Sequence, residues 1–106
     1  MISQETIQQV VDDIVKGVGP LKVILFGSYA RGTQTAESDL DIFVVAEMEG
    51  TSAERIRRVR SVITPERFAL DVVVRTPHQV QKSLSGRDWF VQEVFEQGKV
   101  LYERRN

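Results

Sequence analysis

The sequence predicts an α/β domain: a small mixed sheet flanked by helices. Three observations carry that prediction. Helix-spaced and strand-spaced apolar patterns take turns along the chain. The 106 residues, 42% hydrophobic and 27% charged, are enough for one core. No repeat, low-complexity segment or linker divides them, so residues 1–106 are expected to form a single minimal domain.

Each element has its own local reason. Ile7, Val10, Val11, Ile14 and Val15 recur at helical spacing between an N-cap at Ser3 and a C-cap at Gly17, which predicts a first helix. Lys22 to Phe26 is a β-branched run ended by Gly27, hence a strand, and Ser28 to Gly32 reads as a turn opening one or two helical turns. Leu40 to Ala46 is a second strand. Thr51 with Glu54 three residues on forms a capping box, and Ile56, Val59 and Ile63 line one face of a helix that Pro65 should stop. Ala69 to Val74 gives a third strand, and Thr76-Pro77 opens another helical segment. Asp88 to Gln97 is a last helix with Phe90, Val91, Val94 and Phe95 on one face, and Lys99 to Tyr102 an edge strand.

Composition removes several function classes. No apolar run approaches the roughly 18 residues of a membrane span. Met1 to Gly17 carries Gln4, Glu5, Gln8, Gln9, Asp12 and Asp13, unlike a signal peptide, so a cytoplasmic location is expected. Without cysteine there is no disulfide or thiolate metal site. A net charge of −1 argues against a nucleic-acid-coating role, and no direct nucleic-acid binding is expected.

The stretch "LFGSYARGTQTAESDLDIFVV" from Leu25 to Val45 concentrates the chemistry. Residues two apart on a strand share a face, so Asp39 and Asp41 converge while Leu40, Ile42 and Val44 turn into the core. If the third strand is a neighbour in suitable register, Asp71 joins them. Three carboxylates this close repel one another unless a cation is shared, and hard oxygen donors suit Mg²⁺. Such an ion completes its shell with water and phosphate oxygens, which explains the turn beside it. Gly27 lets a phosphate approach the backbone, Ser28 donates to it, and Arg31 either clamps it or caps its short helix. The Walker and protein-kinase patterns are absent.

Gly27-Ser28, about ten residues, then Asp39-x-Asp41, with Asp71 on a later strand, resembles the nucleotidyltransferase superfamily that includes DNA polymerase β. The closing "GKVLYE", Gly98 to Glu103, is similar to the end of its minimal members. The resemblance implies the nucleotidyltransferase fold and transfer of a nucleoside monophosphate from an NTP, ATP in the first instance, to a hydroxyl. It implies that Asp39 and Asp41 hold two Mg²⁺ ions and that Asp71 binds the second ion or takes the acceptor proton. Gly27, Ser28, Arg31 and Ser38 are the implied nucleotide-binding residues. Minimal members are often paired with a HEPN-domain RNase toxin, which some neutralise by adding AMP to a tyrosine. By that resemblance the chain is an antitoxin with a HEPN-domain partner, in a homo- or hetero-oligomer. Two alternatives stand beside it: a binding module that neutralises its partner sterically, and a small-molecule nucleotidyltransferase. Other features have plainer readings, with Arg55, Arg57, Arg58 and Arg60 as a solvated helix face and His78 as structural. Trp89, Phe90, Phe95 and Tyr102 read as core or partner interface.

Overall fold

The computed structural model describes residues 1–64 and 68–105. In chain order the elements are α1 (Gln4–Val18), β1 (Lys22–Phe26), α2 (Ser28–Arg31), β2 (Leu40–Val45), α3 (Ser52–Ser61), β3 (Leu70–Arg75), α4 (Pro77–Ser85), α5 (Trp89–Gln97) and β4 (Lys99–Glu103). The caps explain many of the boundaries. Ser3 accepts from the Thr6 amide to start α1, and the capping box of Thr51 and Glu54 starts α3. A second box, Thr76 with Gln79, starts α4 with Pro77 in its first turn, and Asp88 caps α5.

α1 runs one residue past Gly17 and ends at Gly19, whose φ of 65° is the left-handed cap. Gly17 lies inside the helix, where a side chain would collide with Val62, so its smallness serves packing rather than termination. α3 ends before residue 65, and Pro65 lies outside the described residues.

The sheet order is β3-β2-β1-β4. β1 is antiparallel to both β2 and β4, and β2 is parallel to β3, so the sheet is mixed. Against β1, β4 carries a bulge: Val23 pairs with Tyr102 and Ile24 with Val100, leaving Leu101 as the extra residue.

Both sheet faces are covered, which strand alternation on β2 alone did not reveal. On one face Leu40, Ile42 and Val44 pack with Ile7, Val10, Val11 and Ile14 of α1 and Val59 of α3. On the other, Ile24, Phe43 and Val45 pack with Val80 of α4 and Val91 and Val94 of α5. Asp41 belongs to this second face, two residues from the fully buried Phe43. The acids therefore stand at the uncovered end of a face that is otherwise core. Of the four α3 arginines, Arg55 donates to the Met48 carbonyl at 2.9 Å and Arg60 to the Leu70 carbonyl at 2.7 Å, while Arg57 and Arg58 are exposed.

Candidate active site

Three chain segments meet at the acid end of the sheet. The antiparallel register sets Asp41 opposite Phe26, so the residue after Phe26 arrives beside the Asp41 side chain. That residue is Gly27, with φ 72° and ψ −153°, a conformation essentially restricted to glycine. A Cβ on Gly27 would be driven into the Asp41 carboxylate, with Asp41 Cγ 3.0 Å away and Asp41 Cβ 3.3 Å. The glycine thus does two jobs: it turns the chain sharply, and it lets the turn lie against the acid.

The parallel register then pairs Asp41 directly with Asp71, so the two carboxylates share a face on strands about 4.8 Å apart. Asp39 precedes β2 by one residue and is exposed, as is Asp71, whereas Asp41 is half-buried. Burial raises the Asp41 pKa above the ordinary carboxylate value, the Asp71 and Asp39 charges add to the rise, and Arg31 opposes it. Asp39, Asp41, Asp71 and Arg31 are thereby brought into one electrostatic neighbourhood, as expected.

α2 supplies the opposite wall. Gly27 is its N-cap, and its carbonyl accepts from the amides of Ala30 and Arg31. The amides of Ser28 and Tyr29, at the start of the turn, have no intrahelical acceptor. Tyr29 was not singled out in the sequence, yet it anchors the turn: its ring is buried and its hydroxyl accepts from the Ile2 amide at 2.9 Å. Gly27, Ala30 and Arg31 face Phe90, Glu93 and Gln97 of α5 across a cleft of about 230 Å³. The spacing 90, 93, 97 marks a single helix face, so this wall was readable as a stripe, though not as part of the site.

Ser38 is not brought to this cleft. Its hydroxyl accepts from the Thr35 amide at 2.8 Å, and it lines a separate hollow with Ile2, Thr6 and Phe68. Alternation explains the difference, because Ser38 has the parity of Leu40 rather than of Asp39.

The donor set fits a hard divalent cation. The ion pair found among the described residues, Lys22 with Glu103 at 3.3 Å, leaves Asp39, Asp41 and Asp71 without a cationic partner in contact. Nor is there a closed cage, since among the described residues no three His, Cys, Asp or Glu side chains are gathered closely enough to hold an ion by themselves. An open group of carboxylates beside a phosphate-sized turn suits Mg²⁺, which retains outer positions for water and substrate oxygens.

Comparison with known proteins identifies the family and the fold. The family described as Polymerase beta, Nucleotidyltransferase matches residues 6–106. The chain belongs to this nucleotidyltransferase family. A candidate protein adenylyltransferase of Methanocaldococcus jannaschii is 34% identical over 82 residues, covering 76% of this chain and 77% of that protein. A candidate nucleotidyltransferase of Sulfolobus solfataricus superposes with a TM-score of 0.66 at 21% identity, covering 94% of this chain and 79% of the other. A toxin-antitoxin structure with AMP-PNP superposes with a TM-score of 0.60 at 25% identity, covering 98% and 76%. The four-stranded mixed sheet with its helices is accordingly a nucleotidyltransferase fold, and the protein is a nucleotidyltransferase. Enzymes of this family typically require a metal ion and take an NTP as substrate. No helix among the described residues is long and apolar enough to cross a membrane.

Proposed function

We propose that this nucleotidyltransferase is a single minimal domain that moves AMP from ATP to a hydroxyl of another protein, and that it acts as an antitoxin toward a HEPN-domain partner by modifying a tyrosine. The observation that carries the reading is the packing of Gly27 on Asp41 with Asp71 alongside, which makes the phosphate turn and the carboxylates one continuous surface. The family membership, the adenylyltransferase relative and the toxin-antitoxin neighbour with AMP-PNP support it.

In this reading Gly27 and Ser28 receive the triphosphate through backbone and hydroxyl donors, and Arg31 neutralises its outer charge. Asp39 and Asp41, with Asp71, would hold Mg²⁺, which when bound supplies charge compensation to the triphosphate. The exposed Asp71 takes the proton of the acceptor hydroxyl. That oxygen bonds to the α-phosphorus as the bond from the α-phosphorus to the bridging oxygen breaks, and pyrophosphate departs with both outer phosphates. Ser38, engaged with Thr35, supports the loop rather than the nucleotide.

Isotope position tests the chemistry. Label from α-³²P-ATP should appear on the acceptor in the presence of Mg²⁺, and label from γ-³²P-ATP should leave in pyrophosphate. Neutralisation of the partner with no α-label transferred, unchanged in Asp71→Asn, would instead establish a steric antitoxin.

A further inference from the structure

α5 carries an aromatic edge that is not packed away. Trp89, the only tryptophan of the chain, is 76% exposed and Phe90 is 40% exposed, although Val91 and Val94 of the same helix are core. Large exposed rings at a helix start are unfavourable surface unless something packs on them. Phe90 stands edge-on to Phe26 at 5.5 Å between centroids, and Phe26 is the residue before the Gly27 turn. Trp89 borders an outer hollow of about 280 Å³ together with Glu93 and Glu96. Glu93 and Gln97 line both this hollow and the inner cleft of Gly27 and Arg31. The ridge of α5 therefore runs without a break from an exposed indole to the cleft beside the Gly27 turn.

The charge on that ridge has one sign. Glu93 and Glu96 are exposed, and neither contributes to an ion pair found among the described residues. Arg87 and Lys99, the cations flanking α5, line neither hollow, and Arg31 lines only the inner cleft, from the α2 wall opposite Glu93. An aromatic anchor beside two carboxylates that make no ion pair among the described residues complements a cationic segment, since Lys or Arg gains both from the carboxylates and from the indole face.

We infer that the α5 ridge is the docking surface of the acceptor protein, and that it takes a segment with Lys or Arg close to the acceptor hydroxyl. The inference rests on the proposed transfer to a protein. Docking is measured without nucleotide, so that its failure and the failure of the transfer reading are distinguishable. The probes are two synthetic peptides with a central tyrosine, one flanked by Lys and Arg and the other by Asp and Glu. The emission of Trp89, free of any other tryptophan, reports binding on the ridge itself. The basic peptide should shift the emission and bind about tenfold more tightly than the acidic one, and a Glu93→Lys/Glu96→Lys variant should reverse that preference. Trp89→Ala, at an exposed position that does not threaten folding, should weaken the basic peptide several-fold by calorimetry. Equal binding of the two peptides, or a preference unchanged by charge reversal, would overturn the docking assignment even if AMP transfer occurs. A preserved preference without any transfer would support the docking surface and count against the adenylylation reading.

Discussion

β2 shows one strand face used in two opposite ways. At its far end Phe43 and Val45 lie under α4 and α5 and are fully or nearly fully buried, whereas Asp41, two residues earlier on the same face, is half-buried and flanked by two more acids. Phe43 is surrounded by aromatic rings, edge-on to Phe26 at 6.4 Å and Phe95 at 5.8 Å and tilted against Phe90 at 6.2 Å between centroids. Asp41 is surrounded by like charge. The first arrangement stabilises the fold, and the second costs stability in return for a site that attracts a cation and, through it, a triphosphate. The apolar end makes the acid end possible, because a rigid core two residues away holds strands that their own carboxylates would push apart.

Substitutions at the two ends should therefore differ in kind. The largest effect is expected at the acid end and on activity alone. Asp39→Asn/Asp41→Asn should abolish detectable nucleotidyl transfer, while its melting temperature equals or exceeds that of the wild type. A variant that loses activity by unfolding would erase the contrast. Phe43→Ala should cost about 3–5 kcal/mol of stability, read from denaturant unfolding, because it opens a cavity between β2 and α5. A third substitution probes the wall facing the acids. Ser28→Ala removes one donor to a charged group and should weaken Mg-ATP binding by about 1.5–3 kcal/mol in calorimetry, with thermal stability unchanged. Unaltered affinity would make Ser28 only a local turn residue.

The smallest effect is on the pH dependence of stability. Folding raises the Asp41 pKa above its ordinary 3.8, so the folded protein binds that proton more tightly than the unfolded chain does. The associated stabilisation is complete below 3.8 and is lost as pH climbs through the raised value. Asp13 and Asp88, held low chiefly by the backbone amides of Thr64 and Val91, act oppositely: their stabilisation is present above the ordinary value and is lost as pH falls. Thermal melts in EDTA should show Asp41→Asn more stable than wild type at neutral pH, with the gap closing as the buffer approaches pH 3.8. Adding Mg²⁺ at neutral pH should close the same gap by raising the wild type alone. A gap constant across pH would mean that repulsion at Asp41 is not what distinguishes the acid end.

Much of this was legible because the signals are local. The Gly27-Ser28 turn, the Asp39 and Asp41 spacing, the caps at Ser3 and Thr51 and the helix start at Thr76-Pro77 each depend on residues a few positions apart. Alternation also held the position of Ser38, whose parity with Leu40 turns it away from the cleft, although the neighbouring motif suggested otherwise. Other features required the tertiary structure. That Asp71 pairs with Asp41 follows from a parallel register, and no single strand encodes its own register. Gly17 looked like a helix end because glycine usually is one there, yet the approach of Val62 from a distant turn gives it a packing role. The cover that α5 provides over Phe43, and the cleft it builds with α2, belong to helices and strands distant in sequence.

The bulge at Leu101 has a consequence for how these molecules behave in a crowd. β4 is an outer strand, and Val-Leu-Tyr is the kind of run that could template a neighbour's backbone and extend the sheet from molecule to molecule. The extra residue breaks the alternation, so that Leu101 and Tyr102 both pack toward the α1 side while Val100 stays exposed. A strand with an interrupted ladder presents no continuous row of donors and acceptors, and Lys99 at one end adds a charge that an incoming strand would have to bury. That edge of the sheet is thereby blunted, and removing the bulge by deleting Leu101 should turn a self-limiting edge into a seed for fibrillar growth, visible as thioflavin-positive aggregates at concentrations where the parent chain stays clear.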